Sequence, residues 1–179
     1  MSTTTKTLWN IDPVHSEIQF KVKHMVISTI TGSFGSYDGQ IETEGEDFEN
    51  AKATFTADIN SVSTNNEQRD QHLKSDDFFN AEAFPQLKFQ STSVTKTGEN
   101  EYEVTGNLTM RDVTKEITLN AVHGGTVTGL SGDTKAGFEI SGIVNRKEFG
   151  LNWNGLTEAG NVVAGNDIKL QLNVQFAKN

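Results

Sequence analysis

In Ile168-Lys169-Leu170-Gln171-Leu172-Asn173-Val174-Gln175-Phe176 every second residue is apolar and every residue between is polar. Side chains alternate across an extended backbone, so this run reads as a strand with one buried and one wetted face. The same rhythm recurs at Ile18, Phe20 and Val22, at Ala53, Phe55, Ala57 and Ile59, and at Tyr102, Val104, Gly106, Leu108 and Met110. It returns at Ile117, Leu119 and Ala121, and at Ala136, Phe138, Ile140, Gly142 and Val144. Threonine fills many outward positions, as a half-buried pleated surface favours. Roughly eight such segments suit an antiparallel barrel with room inside for one ligand. With no repeat, low-complexity tract or linker in view, residues 1–179 are expected to form one all-β domain.

Turn chemistry separates the runs. Thr97-Gly98-Glu99-Asn100 reads as a short hairpin connection, Arg111-Asp112 as another, and His123 to Asp133, with its four glycines, as a longer loop. Thr64-Asn65-Asn66-Glu67 has the form of a capping box and predicts a helix running to about Ser75. Helical spacing puts Arg69, His72 and Leu73 on one face and sets Asp70 beside Lys74. A helix this polar cannot be buried all round, so it must lie across something. Three phenylalanines follow in Asp76-Asp77-Phe78-Phe79-Asn80-Ala81-Glu82-Ala83-Phe84-Pro85. Rings in an irregular segment are costly to leave in water and are expected to face inward over an apolar opening.

Composition narrows the function. The 15 basic and 24 acidic residues leave a net charge of −9, which on average repels phosphate backbones and anionic bilayers. No nucleic-acid partner is expected, and an anionic ligand needs a local cationic spot. Cysteine is absent, which removes disulfides, thiolate nucleophiles and Cys-ligated zinc. No run approaches the ~20 apolar residues of a membrane span, and Met-Ser-Thr-Thr-Thr-Lys-Thr is not followed by a signal-like apolar stretch. The expectation is a soluble chain that does not span a membrane and is cytoplasmic, or periplasmic if a leader has been removed.

Trp9-x-Ile11-Asp12-x-x-His15-Ser16, followed by Phe20 and His24, resembles the opening of the YceI family of lipid-binding proteins. Arg69-Asp70-x-His72-Leu73 leading into Asp77-Phe78-Phe79 and Phe84-Pro85 resembles the family's most distinctive stretch, and Val104-x-Gly106-x-Leu108 and Arg146-x-x-Phe149-Gly150 its later landmarks. The likeness covers nearly the whole chain in order. It implies an eight-stranded antiparallel lipocalin-like barrel, with one short helix and loops covering an opening. Its interior would hold a polyisoprenoid, quinone or fatty-acid-like molecule. Many relatives carry a signal peptide, which is not evident here. Relatives often have a glycine where Arg111-Asp112 stands, a variation read as having no functional weight.

On this reading the ligand wall comprises Phe20, Phe34, Phe55, Phe78, Phe79, Phe84, Phe89, Leu108, Phe138, Phe149 and Trp153, with His24, Arg69, His72 and Arg146 as head-group contacts. Arg69, His72 and Arg146 could form a cationic collar for a phosphate, carboxylate or carbonyl; alternatively they pin the helix and a loop. The 11 phenylalanines against two tyrosines and two tryptophans describe an interior of rings without polar handles, which alternation alone leaves either open or solidly filled. Each buried methylene contributes about 0.8 kcal/mol, so ten give roughly 8 kcal/mol before association costs. A long chain can thus bind with few polar contacts.

The four histidines lack metal-ligand spacing, so no metal is expected, nor any cofactor beyond the bound lipid. Asp12, His15 and Ser16 lie too close along one extended segment for a nucleophilic relay, and no Gly-x-Ser-x-Gly elbow exists. The chain is therefore read as a carrier rather than an enzyme. Two rivals stand beside it: an enzyme acting on an isoprenoid-type lipid through His15, His24 or His72, and a dry-core β-sandwich that binds partners at a strand edge. An open mouth or a free edge also offers a surface for a homodimer.

Overall fold

The computed structural model describes residues 6–24, 28–44, 47–76, 78–151 and 166–178. Apolar alternation yields eleven strand segments: β1 (Lys6–Ile11), β2 (Glu17–His24), β3 (Ser28–Phe34), β4 (Tyr37–Glu44), β5 (Lys52–Asp58), β6 (Val62–Ser63), β7 (Gln86–Gly98), β8 (Glu101–Met110), β9 (Val113–Thr128), β10 (Thr134–Asn145) and β11 (Asp167–Lys178). All pairings are antiparallel, and β11 closes the sheet by pairing with β1 (Ile11 opposite Phe176) and with β2 (Leu170 opposite Phe20). Register explains why eleven segments make eight barrel strands. β1 and β2 lie end to end along β11, while β4 and β3 lie end to end along them. β5 and β6 do the same along β4 and β3. Three long strands are thus each broken once, and the rest continue as a meander in chain order. Closure and the interior void described below replace the solid β-sandwich that alternation had left open.

Each break has a local cause. At the first, Pro13–His15 forms a 3-10 turn capped by Asp12, whose Oδ1 accepts the Val14 amide at 3.1 Å. Asp12 Oδ2 also accepts from Lys135 Nζ at 2.9 Å and lies 2.8 Å from His15 Nδ1, and these partners, His15 first, lower its carboxyl pKa to about 2. Ser16 Oγ accepts the Gln175 amide at 3.0 Å, and Tyr37 donates its hydroxyl to the Ser16 carbonyl at 2.9 Å. Asp12, His15 and Ser16 therefore do the hinge's hydrogen bonding. The second strand breaks at Gly35-Ser36 and the third at the 3-10 turn Ile59–Ser61, where Gly35 donates to the Ser61 carbonyl at 3.2 Å.

Both short turns fall where they were predicted, with Arg111 in the left-handed region at φ 56°. The long loop does not. β9 runs through His123–Thr128 and pairs with β10 as far as Thr134, leaving a connection of 129–133. Pairing shifts between Gly137 and Phe138, so that Gly124 is the extra residue of a bulge; the paired glycines mark a bend in a strand, not its end.

The helix α1 (Glu67–Lys74) forms between β6 and β7, but its cap differs from the sequence reading. Asn66, not Thr64, is the N-cap and accepts the Arg69 amide at 3.0 Å. Thr64 instead donates its amide and hydroxyl to Asp70 Oδ1 at 2.8 and 2.6 Å, so Asp70 turns back to Thr64 and not forward to Lys74. After α1 the chain doubles back, with Phe79 and Ala81 donating to the Leu73 and Lys74 carbonyls at 3.0 and 2.8 Å.

Candidate functional site

Strand directions give the barrel two ends. α1, the 78–84 segment, the β8–β9 turn and the 3-10 turn Arg146–Phe149 gather at one, termed the roof; the β4–β5, β7–β8 and β9–β10 connections gather at the other, the floor. Between them is a cavity of about 580 Å³ lined almost wholly by inward-facing apolar side chains. That size lies within the usual range for small-molecule sites. Exposure along β11 traces it: Val174 and Phe176 are buried, whereas Ile168, Leu170 and Leu172 are only half-buried although they point inward. The toward-roof half of the strand faces empty space, not packed neighbours.

The floor is a plug of rings. Phe48, in the β4–β5 connection, is buried with ring centroids 5.4 Å from Trp9, 6.3 Å from Tyr102, 5.2 Å from His123 and 4.8 Å from Phe138. Its loop is pinned by Asn50 donating to the Val94 carbonyl at 2.9 Å and by Glu49 Oε2 accepting the Lys96 amide at 3.1 Å. His123 stacks on Phe138 at 5.1 Å, and burial pulls its pKa down. Trp9 satisfies its indole N–H on Thr43 Oγ1 at 3.2 Å.

The roof carries the polar groups. Asn66, Gln68, Arg69, His72 and Leu73 of α1 border the cavity, with Phe78, Phe79, Arg146 and Leu151. Phe78 is its centre: His72 meets the ring edge-on at 5.1 Å and the Arg146 guanidinium stands over it at 5.8 Å. Arg146 is 3% exposed and donates to the Leu151 carbonyl at 2.6 Å; burial lowers its pKa. Arg69 donates through Nε to Thr64 Oγ1 at 2.8 Å and through Nη2 to the Thr64 carbonyl at 2.7 Å. The collar residues thus share the cavity border while also pinning the helix and the Arg146 turn. Arg111 has a structural role that its place in a variable turn did not signal. Its guanidinium donates to the carbonyls of Asp76 (2.9 Å), Phe78 (3.0 Å) and Gly150 (3.4 Å) and to Asp76 Oδ1 (2.9 Å), tying the β8–β9 turn to both covering segments.

Of the predicted wall, Phe20, Phe34, Phe55, Phe78, Phe79, Phe89, Leu108 and Phe138 line the cavity. Phe84 and Phe149 do not. Phe84 is half-buried with its amide on the Asn80 carbonyl, and Phe149, in the 3-10 turn that begins at Arg146, is fully buried within the apolar core. Trp153 lies outside the described residues, as does the side chain of His24 at the end of β2. The sequence reading missed Phe48 and Phe176, which also line the cavity, along with Leu119 and Tyr102. Phe48 sits in Glu44-Gly45-Glu46-Asp47-Phe48-Glu49-Asn50, where a solitary ring in an acidic connection was the available signal. Among the described residues no group of three or more His, Cys, Asp or Glu could hold a metal ion, and no helix is long and apolar enough to cross a membrane.

The lumen stays open because large side chains lie along the wall. Phe20 is paired with Gly32 and Phe55 with Gly39; the Phe89 ring lies over Gly106, and Leu119 over Gly142. A ring opposite a glycine can fold flat into the missing side chain's place, the arrangement that alternates large and small residues inside small barrels.

Comparison with known proteins agrees with this architecture. The model of the YceI-like domain matches residues 9–176. A UPF0312 protein of Staphylococcus epidermidis is 36% identical over 172 residues, covering 96% of this chain and 98% of that protein, and one of Staphylococcus aureus strain N315 matches to the same extent. Among solved structures, Burkholderia cenocepacia BcnA superposes with a TM-score of 0.80 at 18% identity, covering 92% of this chain and 98% of that one, a likeness of fold. The Campylobacter jejuni YCEI protein gives 0.66 at 30% identity over 84% and 88% of the two chains. A polyisoprenoid binding domain from Saccharophagus degradans gives 0.65 at 17% identity over 97% and 98%. The chain belongs to the family of the YceI-like domain.

Proposed function

We propose that this protein binds one long apolar molecule (polyisoprenoid, quinone or fatty-acyl) along the barrel axis and carries or sequesters it. The observation that carries the reading is the cavity of about 580 Å³ with its apolar wall and a floor packed with aromatic rings. Such a space rewards hydrocarbon and offers little to a polar substrate. Membership of the family supports it, as does the fold shared with a polyisoprenoid binding domain. The tail points to the Phe48 floor, and a polar head stays at the roof near Arg69, His72 and Arg146. A carrier also accounts for the hydrogen bonding of His15 and Ser16 at the strand hinge, away from the cavity border.

Organic extraction of the purified protein followed by mass spectrometry should release an apolar molecule of unchanged structure. Protein that is repeatedly empty and ignores both prenyl and fatty-acyl probes overturns the proposal. Recovery of a chemically altered ligand, with turnover lost on His72→Ala, replaces it by the enzyme reading.

A further inference from the structure

A glycine inside a strand weakens it and adds nothing to a core. Gly32, Gly106 and Gly142 nevertheless occupy strand interiors, on β3, β8 and β10. None has a left-handed backbone, so what the fold needs there is space and not unusual torsion. A methyl added at Gly32 would overlap Cζ of Phe20, the far end of a movable ring, and one at Gly142 would overlap Cδ2 of Leu119. Gly106 differs: a methyl would also meet the Gln90 carbonyl oxygen at 2.5 Å, so the backbone itself would have to shift.

Two of these pairs lie on one row of cross-strand neighbours, which winds obliquely round the barrel because its strands are tilted. Gly142 is opposite Leu170, Leu170 is opposite Phe20, and Phe20 is opposite Gly32. All three large members of this belt, Leu119, Leu170 and Phe20, border the cavity. The free space along this side of the lumen therefore depends on whether the Phe20 ring and the Leu119 side chain lie down on their glycines.

We infer that Gly32 and Gly142, by letting Phe20 and Leu119 lie flat, act as a gauge that determines how long and how thick a chain the cavity admits. The inference rests on the proposed lipid-binding function and names the specificity determinants of that same site. A methyl at either glycine lifts its partner into the lumen. Chains long enough to pass the belt lose the contacts beyond it, while chains that end short of it lose nothing. Each methylene kept out of the lumen weakens binding about fourfold.

The test is displacement of a fluorescent fatty acid by a homologous series of saturated fatty acids, from octanoate to docosanoate, on the full chain. Gly32→Ala and Gly142→Ala should weaken the longest chains by roughly tenfold to a hundredfold and leave the shortest within about twofold. Phe20→Leu in the Gly32→Ala background should restore the long chains. Phe20→Leu alone, which introduces no crowding and keeps the test open if an alanine variant misfolds, should admit longer or branched chains that the parent rejects. If the parent binds chains and every variant keeps its length profile, or loses all lengths equally, the gauge is wrong while the lipid site stands. If the parent binds no member of the series, the same variants are compared on prenyl alcohols from farnesol to solanesol; if the parent binds none of these either, the site reading falls and the gauge with it.

Discussion

The two ends of this barrel are closed by different physics. At the floor, Phe48 is held by four aromatic neighbours on four elements, and closure comes from ring packing with the loop's polar groups bonded outward. At the roof, α1 has no buried residue and the cover is held by directional bonds from Arg69, Arg111 and Arg146. Apolar packing is lost only when a ring is withdrawn whole, whereas hydrogen bonds exchange with water one at a time. The floor is thus held mainly by ring packing, and the roof, where Phe78 and Phe79 are buried under a cover tied by hydrogen bonds, is the end where local opening is expected to cost less. On the proposed function, the roof is the end through which a ligand is expected to pass.

The comparison can be broken at several points. The largest effect is expected at the floor. Phe48→Ala should cost about 3–5 kcal/mol in urea unfolding, because four rings lose their common partner. A cost below 1 kcal/mol would show a floor as loose as the roof. Next comes a contrast between two cavity rings. Phe138→Ala, inside the floor cluster, should also cost about 3–4 kcal/mol, whereas Phe20→Ala, whose ring faces the void, should cost only about 1–2 kcal/mol. Equal losses would mean that the middle of the barrel is packed as tightly as its floor.

Arg111→Ala should cost about 1–2 kcal/mol and act locally. Hydrogen exchange of the Phe78 and Phe79 amides should accelerate while those of β8 and β11 at the floor keep their rates. Global acceleration would refute the role of Arg111 as a roof clasp. The smallest effect belongs to the first hinge. With the Asp12 pKa lowered to about 2, the carboxylate contributes stability that is fully present above its ordinary value near 3.8 and lost as pH falls through 2. Asp12→Asn should therefore cost about 1 kcal/mol at neutral pH, with the cost shrinking as pH falls from about 4 and vanishing only below pH 2. Stability curves of the two proteins that stay parallel between pH 5 and pH 2 would remove Asp12 from the account.

How far the sequence could be read depended on the range of the interactions involved. The β11 alternation, the turns at Glu99-Asn100 and Arg111-Asp112 and the presence of α1 were legible because strand period, turn residues and capping groups act within a few residues. The failures were of two kinds. Glycines in His123–Thr128 signalled a loop, but pairing with β10 absorbs them as a bulge, an outcome decided by a neighbouring strand. Thr64 matched a capping box, but Asp70 and Arg69 recruit it and Asn66 takes the cap, a competition among adjacent groups that a motif does not rank. Phe149 and Phe84 stand off the cavity because neither ring type nor, for Phe84, a place in the apolar segment after α1 says whether a ring meets a void or other side chains.

By itself, then, the order of residues determined a two-faced antiparallel sheet, its turns and the apolar character of its inner surface. Tertiary structure alone decided that β1 and β2 both reach β11 to close the barrel, and that Phe20 and Leu119 meet glycines from other strands. It also put Phe48 at the floor and Arg111 on the roof. The division has a physical reason: strand period and turns are local properties of the backbone. Whether a barrel is hollow depends on which side chains stand opposite one another across the closed sheet.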